Sequence, residues 1–182
     1  GTHKLISHLT DALATGGGVV DGIHLATTRG EWKDEPGKRD LLVATSTNRW
    51  TIGHTWIPCD GAMTSMVWPY GSTRTLLGVL KVLAKKGENH CVDIDMVRAE
   101  PKPNAKDDEH PGWIVTVSET KALFDSDTKH EFHAHPERRF PIDWAMRVLS
   151  GNFEHPDEYT EVPVTLWGSD ALKRLASIAS RR

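Results

Sequence analysis

Leu5, Leu9, Ala12 and Leu13 recur at helical spacing within Thr2–Thr15, and Gly16-Gly17-Gly18 follows them. The pattern predicts a first helix that stops where glycine admits left-handed backbone at little steric cost. Two β-like stretches come next, Gly22–Arg29 and Asp40–Thr47, joined through Gly30–Arg39, whose Asp34, Pro36 and Gly37 mark a turn. A hairpin is expected. From Trp50 the apolar Trp50, Ile52 and Trp56 alternate with Thr51, Gly53 and Thr55, the period of a strand with one buried face, and His54 is the polar exception on the Trp face. Ser72 is placed to cap a second helix, Thr73–Lys86, in which Leu76, Leu80 and Leu83 form the apolar stripe and Gly87 the stop. His90–Val97, Gly112–Glu119 and His130–His135 read as strands, with Ala99–Pro111 a solvated loop between the first two.

The order of elements is therefore helix, three strands, helix, three strands, a short Ala145–Leu149 stretch, a linker, and then a new unit. That unit is a strand, Val162–Trp167, and a helix, Ser169–Arg182, capped by Ser169. Residues 1–150 form one domain in this reading, 151–161 a linker, and 162–182 the start of a second domain whose apolar stripes need further protein to cover them. Helix-plus-three-strands occurs twice within the first domain, which suggests an internal duplication.

Composition narrows the class. With 38% apolar and 26% charged residues, the chain has the make-up of a globular protein rather than a fibre or a disordered tail. No apolar run approaches a membrane span and residues 1–15 lack the pattern of a signal peptide, so the expected location is cytoplasmic. Cys59 and Cys91 are too few for a disulfide framework and form no C-x-x-C pair.

Charge is sorted unevenly. The second helix, Ser72–Lys86, carries Arg74, Lys81, Lys85 and Lys86 and no acid; the last carries Lys173, Arg174, Arg181 and Arg182 against one Asp170. Together they hold +7, which leaves −10 on the rest of a chain of net charge −3. Arg74, Lys81 and Lys85 share one helical face opposite the leucines, and an acid-free basic face suits contact with phosphates without base readout. A plain solvated face explains one such helix equally well; two on an acidic chain strengthen the electrostatic reading.

Catalytic signals are weak. His133 and His135 lie on one side of a strand at a spacing that some metal sites use, and Asp93 offers a carboxylate, which together suggest a His-dependent metal hydrolase as a remote alternative. Strand alternation explains the same spacing, so neither a metal nor a catalytic residue is expected. No G-x-S-x-G elbow and no glycine-rich phosphate loop is present, so no cofactor is expected. Among seven tryptophans, Trp32, Trp50, Trp56 and Trp68 fall in or beside loops and strand ends; most are expected in the core, and one at a strand end is placed to line a groove.

Leu41-Leu42-Val43-Ala44-Thr45-Ser46-Thr47-Asn48-Arg49-Trp50 resembles the V-A-T-D-G-H-R-L segment in the middle domain of the bacterial beta sliding clamp, the beta subunit of DNA polymerase III. Val20-Asp21-Gly22-Ile23-His24-Leu25 resembles that family's L-N-G-V-x-L strand. Phe140-Pro141-Ile142-Asp143 with Arg147-Val148-Leu149 resembles its F-P-D-Y-x-R-V-L, and Ala171–Ala179 resembles the first helix of its last domain. These segments come in the family's order. The resemblance covers most of the chain as one middle domain plus the opening of the next, in a fragment or a divergent, phage-like clamp.

The resemblance implies an α+β clamp module: a helix-and-strands unit repeated twice, with helices on one face of curved antiparallel sheets. It implies a replication processivity factor whose Arg74, Lys81, Lys85, Lys86, Lys173 and Arg174 face duplex DNA, in a homo-oligomeric ring placed by a clamp loader. It also implies a groove for a short peptide of a polymerase or repair protein, walled by Val20, Thr45, Thr47, Asn48, Arg49, Trp50 and Ser150. Ser46, Thr47 and Asn48 stand where the family has Asp, Gly and His, and Trp50 where it has Leu, departures that bear on the groove's specificity. The rival reading is a clamp-fold adaptor or decoy that never encircles DNA.

Overall fold

A computed structural model describes residues 1–17, 20–33, 35–103, 110–120, 128–151, 172–173 and 176–178. Its elements are α1 (Thr2–Thr15), β1 (Gly22–Trp32), β2 (Glu35–Thr47), β3 (Ile52–Pro58), β4 (Met66–Pro69), α2 (Tyr70–Leu83) with a 3-10 turn over Ala84–Lys86, β5 (Val92–Arg98), β6 (Trp113–Glu119), β7 (Lys129–Pro136), a 3-10 turn over Glu137–Arg139, and α3 (Ile142–Leu149). The strands form one seven-stranded antiparallel sheet in the order β3-β2-β1-β4-β7-β6-β5. The protein is thus α+β.

The sheet consists of two blocks with a narrow seam. β1 and β2 pair over most of their length, whereas β4 meets β7 only at Met66↔Pro136 and Val67↔His135. A helix followed by a three-stranded meander does occur twice in chain order. The meanders are laid down in opposite directions on either side of the central β4, the first running from β1 beside β4 out to β3 at one edge and the second from β5 at the other edge in to β7 beside β4.

Strand alternation sends one set of side chains to α1 and α2 and the other set to the opposite face. Ile23 and Leu25 of β1, Leu42 and Ala44 of β2, Met66 and Trp68 of β4, and Phe132 and Ala134 of β7 meet Leu5, Leu9, Leu76 and Leu80 of the two helices in the main core. Trp68 and Phe132 pack edge to face with ring centres 5.0 Å apart. The helices run antiparallel side by side. Thr2 at the start of α1 donates its N–H to His90 O beyond the end of α2, and Gly17 beyond α1 donates to the Tyr70 hydroxyl at the start of α2. On the other face a smaller cluster of Val20, Val67, Phe140 and Ala145 is joined by Ile52 and Ile142, so α3 packs opposite the helix pair.

Several expectations need correction. The chain over Gly30–Arg39 is the far end of the β1–β2 hairpin, still paired at Gly30↔Arg39 and Glu31↔Lys38, because a long two-stranded ribbon tolerates Pro36 and Gly37 at its outer end. β4 is a strand that periodicity misses, since four residues are too few to show alternation. Most tryptophans are expected in the core, and Trp68 is fully buried there, but Trp50, Trp56 and Trp144 are exposed because their turn, edge strand and short helix have nothing packed over them among the described residues. α2 starts at Tyr70 after Pro69, with no side-chain cap; Ser72 lies inside its first turn, past the position from which a hydroxyl could cap it. Trp50 is outside β3, which begins at Ile52. The linker 151–161 and the elements expected over 162–182 lie outside the described residues apart from Gly151 and five positions within 172–178.

Candidate functional site

α2 buries Thr73, Leu76, Leu77, Leu80 and Leu83 and turns Gly71, Arg74, Thr75, Gly78, Lys81 and Val82 outward, a separation that its heptad-like leucine spacing enforces. Lys85 continues the outer face on the 3-10 turn. Glycines at 71 and 78 leave this face low between the cations. No acid interrupts it over Tyr70–Lys86. Beside it, α1 exposes His3, Lys4 and Ser7 and carries a single acid, the half-buried Asp11. Arg74, Lys81 and Lys85 are all exposed on this outer side.

Lys86 has a different setting. Its ammonium sits 2.8 and 2.9 Å from the two Glu119 carboxylate oxygens, and His90 Nε2 lies 2.8 Å from the same Oε1. His90 Nδ1 in turn lies 2.7 Å from the Thr2 hydroxyl. Hydrogen bonds from Lys86 and then His90 hold the Glu119 carboxyl below the usual carboxylate range. This network ties α1, the turn after α2 and the end of β6, so Lys86 is committed to the fold as well as to the basic face. Glu119 and His90 escape sequence reading because their partners are 33 and 29 residues away. Lys173 is exposed in a helical stretch, and Arg174 lies outside the described residues.

The expected peptide groove is only partly assembled. Thr45 and Thr47 are fully buried: the Thr45 hydroxyl lies 2.9 Å from His54 Nδ1, and the Thr47 hydroxyl donates to Thr51 O at 2.8 Å. Neither offers a wall, because their hydroxyls close the β2–β3 connection. Val20 is buried against Phe140 and Ala145. Asn48 Oδ1 accepts from the Trp50 and Thr51 N–H groups and the Thr51 hydroxyl, which fixes a tight turn. Arg49 occupies left-handed backbone at φ 77° within it. The turn lifts Trp50 into solvent at 92% exposure, so the ring neither fills a pocket nor points inward. Ser150 ends α3, its N–H donating to Met146 O, and is exposed.

Sequence reading missed the apolar companions on α3. Trp144, Met146 and Leu149 are all exposed while Ala145 is buried, so a short helix shows large apolar groups to water. Its eight residues are too few to establish a stripe by periodicity. Ile52, two residues beyond Trp50, packs in the cluster that supports α3.

His54 is held below the usual histidine range by burial and then by His24. The remote hydrolase does not assemble: Ile114 pairs with both Val97 and His133, which puts Asp93 four positions farther along β5, about 13 Å away by strand rise alone. His133 Nε2 donates instead to Pro111 O at 2.8 Å. Among the described residues no group of three His, Cys, Asp or Glu is placed to hold a metal, and no helix is long and apolar enough to cross a membrane.

No protein-family model, curated protein or solved structure matches the chain. What the site does must be argued from its own chemistry.

Proposed function

We propose that this chain is a sliding-clamp-like module, a non-enzymatic processivity factor that meets duplex DNA through its helix face and holds a polymerase or repair partner on the opposite side. The observation that carries the reading is the outer face of α2: Arg74, Lys81 and Lys85 project together from an acid-free helix. That helix lies antiparallel to α1 on one side of a continuous sheet. Smooth positive charge on a rigid support attracts a polyanion while reading no base, which is the condition for sliding. The clamp-specific duplication, the ring and the loader belong to this proposal, as does the second domain over 162–182.

The test is duplex binding as a function of salt, with Arg74→Glu/Lys81→Glu/Lys85→Glu as the comparison. Three cations on phosphates predict a slope of log affinity on log salt of about −3, and the reversed face abolishes binding. A flat salt response, or equal binding by the variant, rules the assignment out.

Trp50 favours the adaptor as the second reading, since an indole at 92% exposure on the β2–β3 turn, with Trp144, Met146 and Leu149 also exposed on α3, suits protein docking rather than a folded core. Partner peptides that bind a chain with no affinity for duplex at any salt concentration would select it.

A further inference from the structure

A slot of about 520 Å³ runs along the outer edge of β5. One wall is a run of consecutive residues of that strand, Val92 to Met96, and the other is the chain from the end of β3 through Cys59 to Met63. Successive residues of a strand point to opposite faces, so a space that meets the whole run lies along the strand's edge rather than over either face. β5 is the last strand of the sheet and pairs only with β6. Its other edge presents N–H and C=O groups that nothing takes up among the described residues.

We propose that this slot is a docking site for an extended segment of a partner protein, which adds as a strand to β5 and alternates apolar with basic residues. No residue of α2 or of the Trp50 turn lines it, so it does not depend on the DNA reading.

The alternation follows from the two sides of β5. Val92, Ile94 and Met96 are half-buried against the main core, as are Ile57 and Met63 across the slot. An added strand puts every second side chain on this apolar side. Asp93 and Asp95 point the other way and are exposed beside the neutral Ser118 and Thr116 of β6. Asp60 stands on the far wall, and no Lys, Arg or His side chain is in the lining; Arg98, at the end of β5, is outside it. Asp93 accepts the Thr120 hydroxyl at 2.9 Å, a neutral contact that leaves its charge unpaired. Residues 121–127 add Lys121 against Asp125 and Asp127, so the chain that follows Thr120 does not reverse the sign. The intervening side chains of an added strand therefore meet acids, which lysine or arginine complements.

The far wall is preformed. Cys59 N–H donates to Asp40 O at 3.0 Å, Gly61 N–H to Asp40 Oδ2 at 3.3 Å and Met63 N–H to Thr27 Oγ1 at 2.9 Å, so these donors are turned to β1 and β2 rather than across the slot. A second copy of the chain is a poor occupant. Antiparallel pairing of two β5 edges about Ile94 sets Asp93 of each against Asp95 of the other, and like charges directly opposite destabilise a sheet. β5 has no Pro, Lys or bulge to block its edge, so the acids select the strand that can join it.

End-capped Lys-Val-Lys-Val-Lys, Thr-Val-Thr-Val-Thr and Glu-Val-Glu-Val-Glu peptides would be titrated into the whole chain. Two further copies of the first, N-methylated at the lysines or at the valines, test the backbone pairing. Calorimetry reads affinity and amide hydrogen exchange reads position. The lysine peptide is expected to saturate one site, to slow exchange along β5, and to bind about tenfold tighter than the threonine peptide. One N-methylated copy is expected to lose binding and the other to keep it, because alternate N–H groups face β5. Asp93→Asn/Asp95→Asn is expected to remove the preference for lysine with its melting temperature held, and Asp95→Asn alone to reduce it if the double variant folds poorly. Equal affinity for the three peptides, no loss in either N-methylated copy, or uptake linear in concentration overturns the proposal. So does slowed exchange at β3 or the β2–β3 turn in place of β5, or a β5 edge already protected in the free chain, as a second copy or another part of the chain would do.

Discussion

At the scale of single residues, burial and exposure decide two outcomes that residue type leaves open. His8 faces the sheet from α1, with Nδ1 2.9 Å from the Thr55 hydroxyl and Nε2 buried without a partner. Burial first, and His54 second, lower its pKa from 6.5 to about 4. The unfolded chain therefore takes up a proton near pH 6.5 that the folded chain refuses until about pH 4. Stability is full above pH 6.5, falls as pH drops through that window by up to about 3 kcal/mol, and levels off below it. Denaturant titrations from pH 7.5 to 3.5 measure this, and His8→Gln is expected to remove this share of the slope. Trp50 illustrates the converse. Because its ring is almost wholly in water, Trp50→Ala is expected to change stability by no more than about 0.5 kcal/mol while weakening any partner peptide. A loss of several kcal/mol in urea unfolding would show that the ring is packed.

At the scale of elements, the contact between α1 and β3 is set by what is missing from one residue. Gly53 lies against the Thr15 side chain, and a Cβ there would overlap the threonine hydroxyl. That hydroxyl is 2.5 Å from Ser46 Oγ, and the Thr51 hydroxyl donates to Thr15 O, so the helix end is stitched to both strands. Gly53→Ala is expected to destabilise the fold by about 2 kcal/mol through overpacking, whereas Gly78→Ala on the open face of α2 is expected to stabilise it slightly. Paired melting curves test the contrast. In the sequence Gly53 reads as a polar-side partner of Trp50 and Ile52; only the packed helix explains why it is glycine.

At the scale of the whole molecule, the two faces of the sheet carry different elements. One carries α1 and α2 with the basic outer surface of α2, and the other carries α3 with its exposed Trp144, Met146 and Leu149. The proposed clamp-like reading assigns the polyanion to the first face and partners to the second. The Arg74, Lys81 and Lys85 reversal is therefore expected to remove duplex binding while leaving peptide binding to the Trp50 region unchanged, since Trp50 stands on the β2–β3 turn and not on α2. Fluorescence anisotropy with labelled duplex and labelled peptide on the same variant reads both. Loss of both together would mean that the surfaces are coupled or that the fold is damaged.

The helices α1 and α2, the longer strands and the basic stripe were legible in the sequence because each is local: leucines three and four apart, alternation over six or more residues, and cations seven and eleven apart each define a face without reference to the rest of the chain. Tertiary structure alone decided the rest. β4 exists because β1 recruits four residues across its free edge, too short a segment to carry a period of its own. Thr45 and Thr47 pass from expected groove walls to buried, hydrogen-bonded residues because neighbouring strands close over them. Met63 and Ile94, far apart in sequence, line one slot only because both blocks of the sheet pack on the same core. Faces follow from spacing within a segment, whereas pockets, buried pairs and short strands follow from which distant segment lies alongside, and that is set by the packing of the whole core.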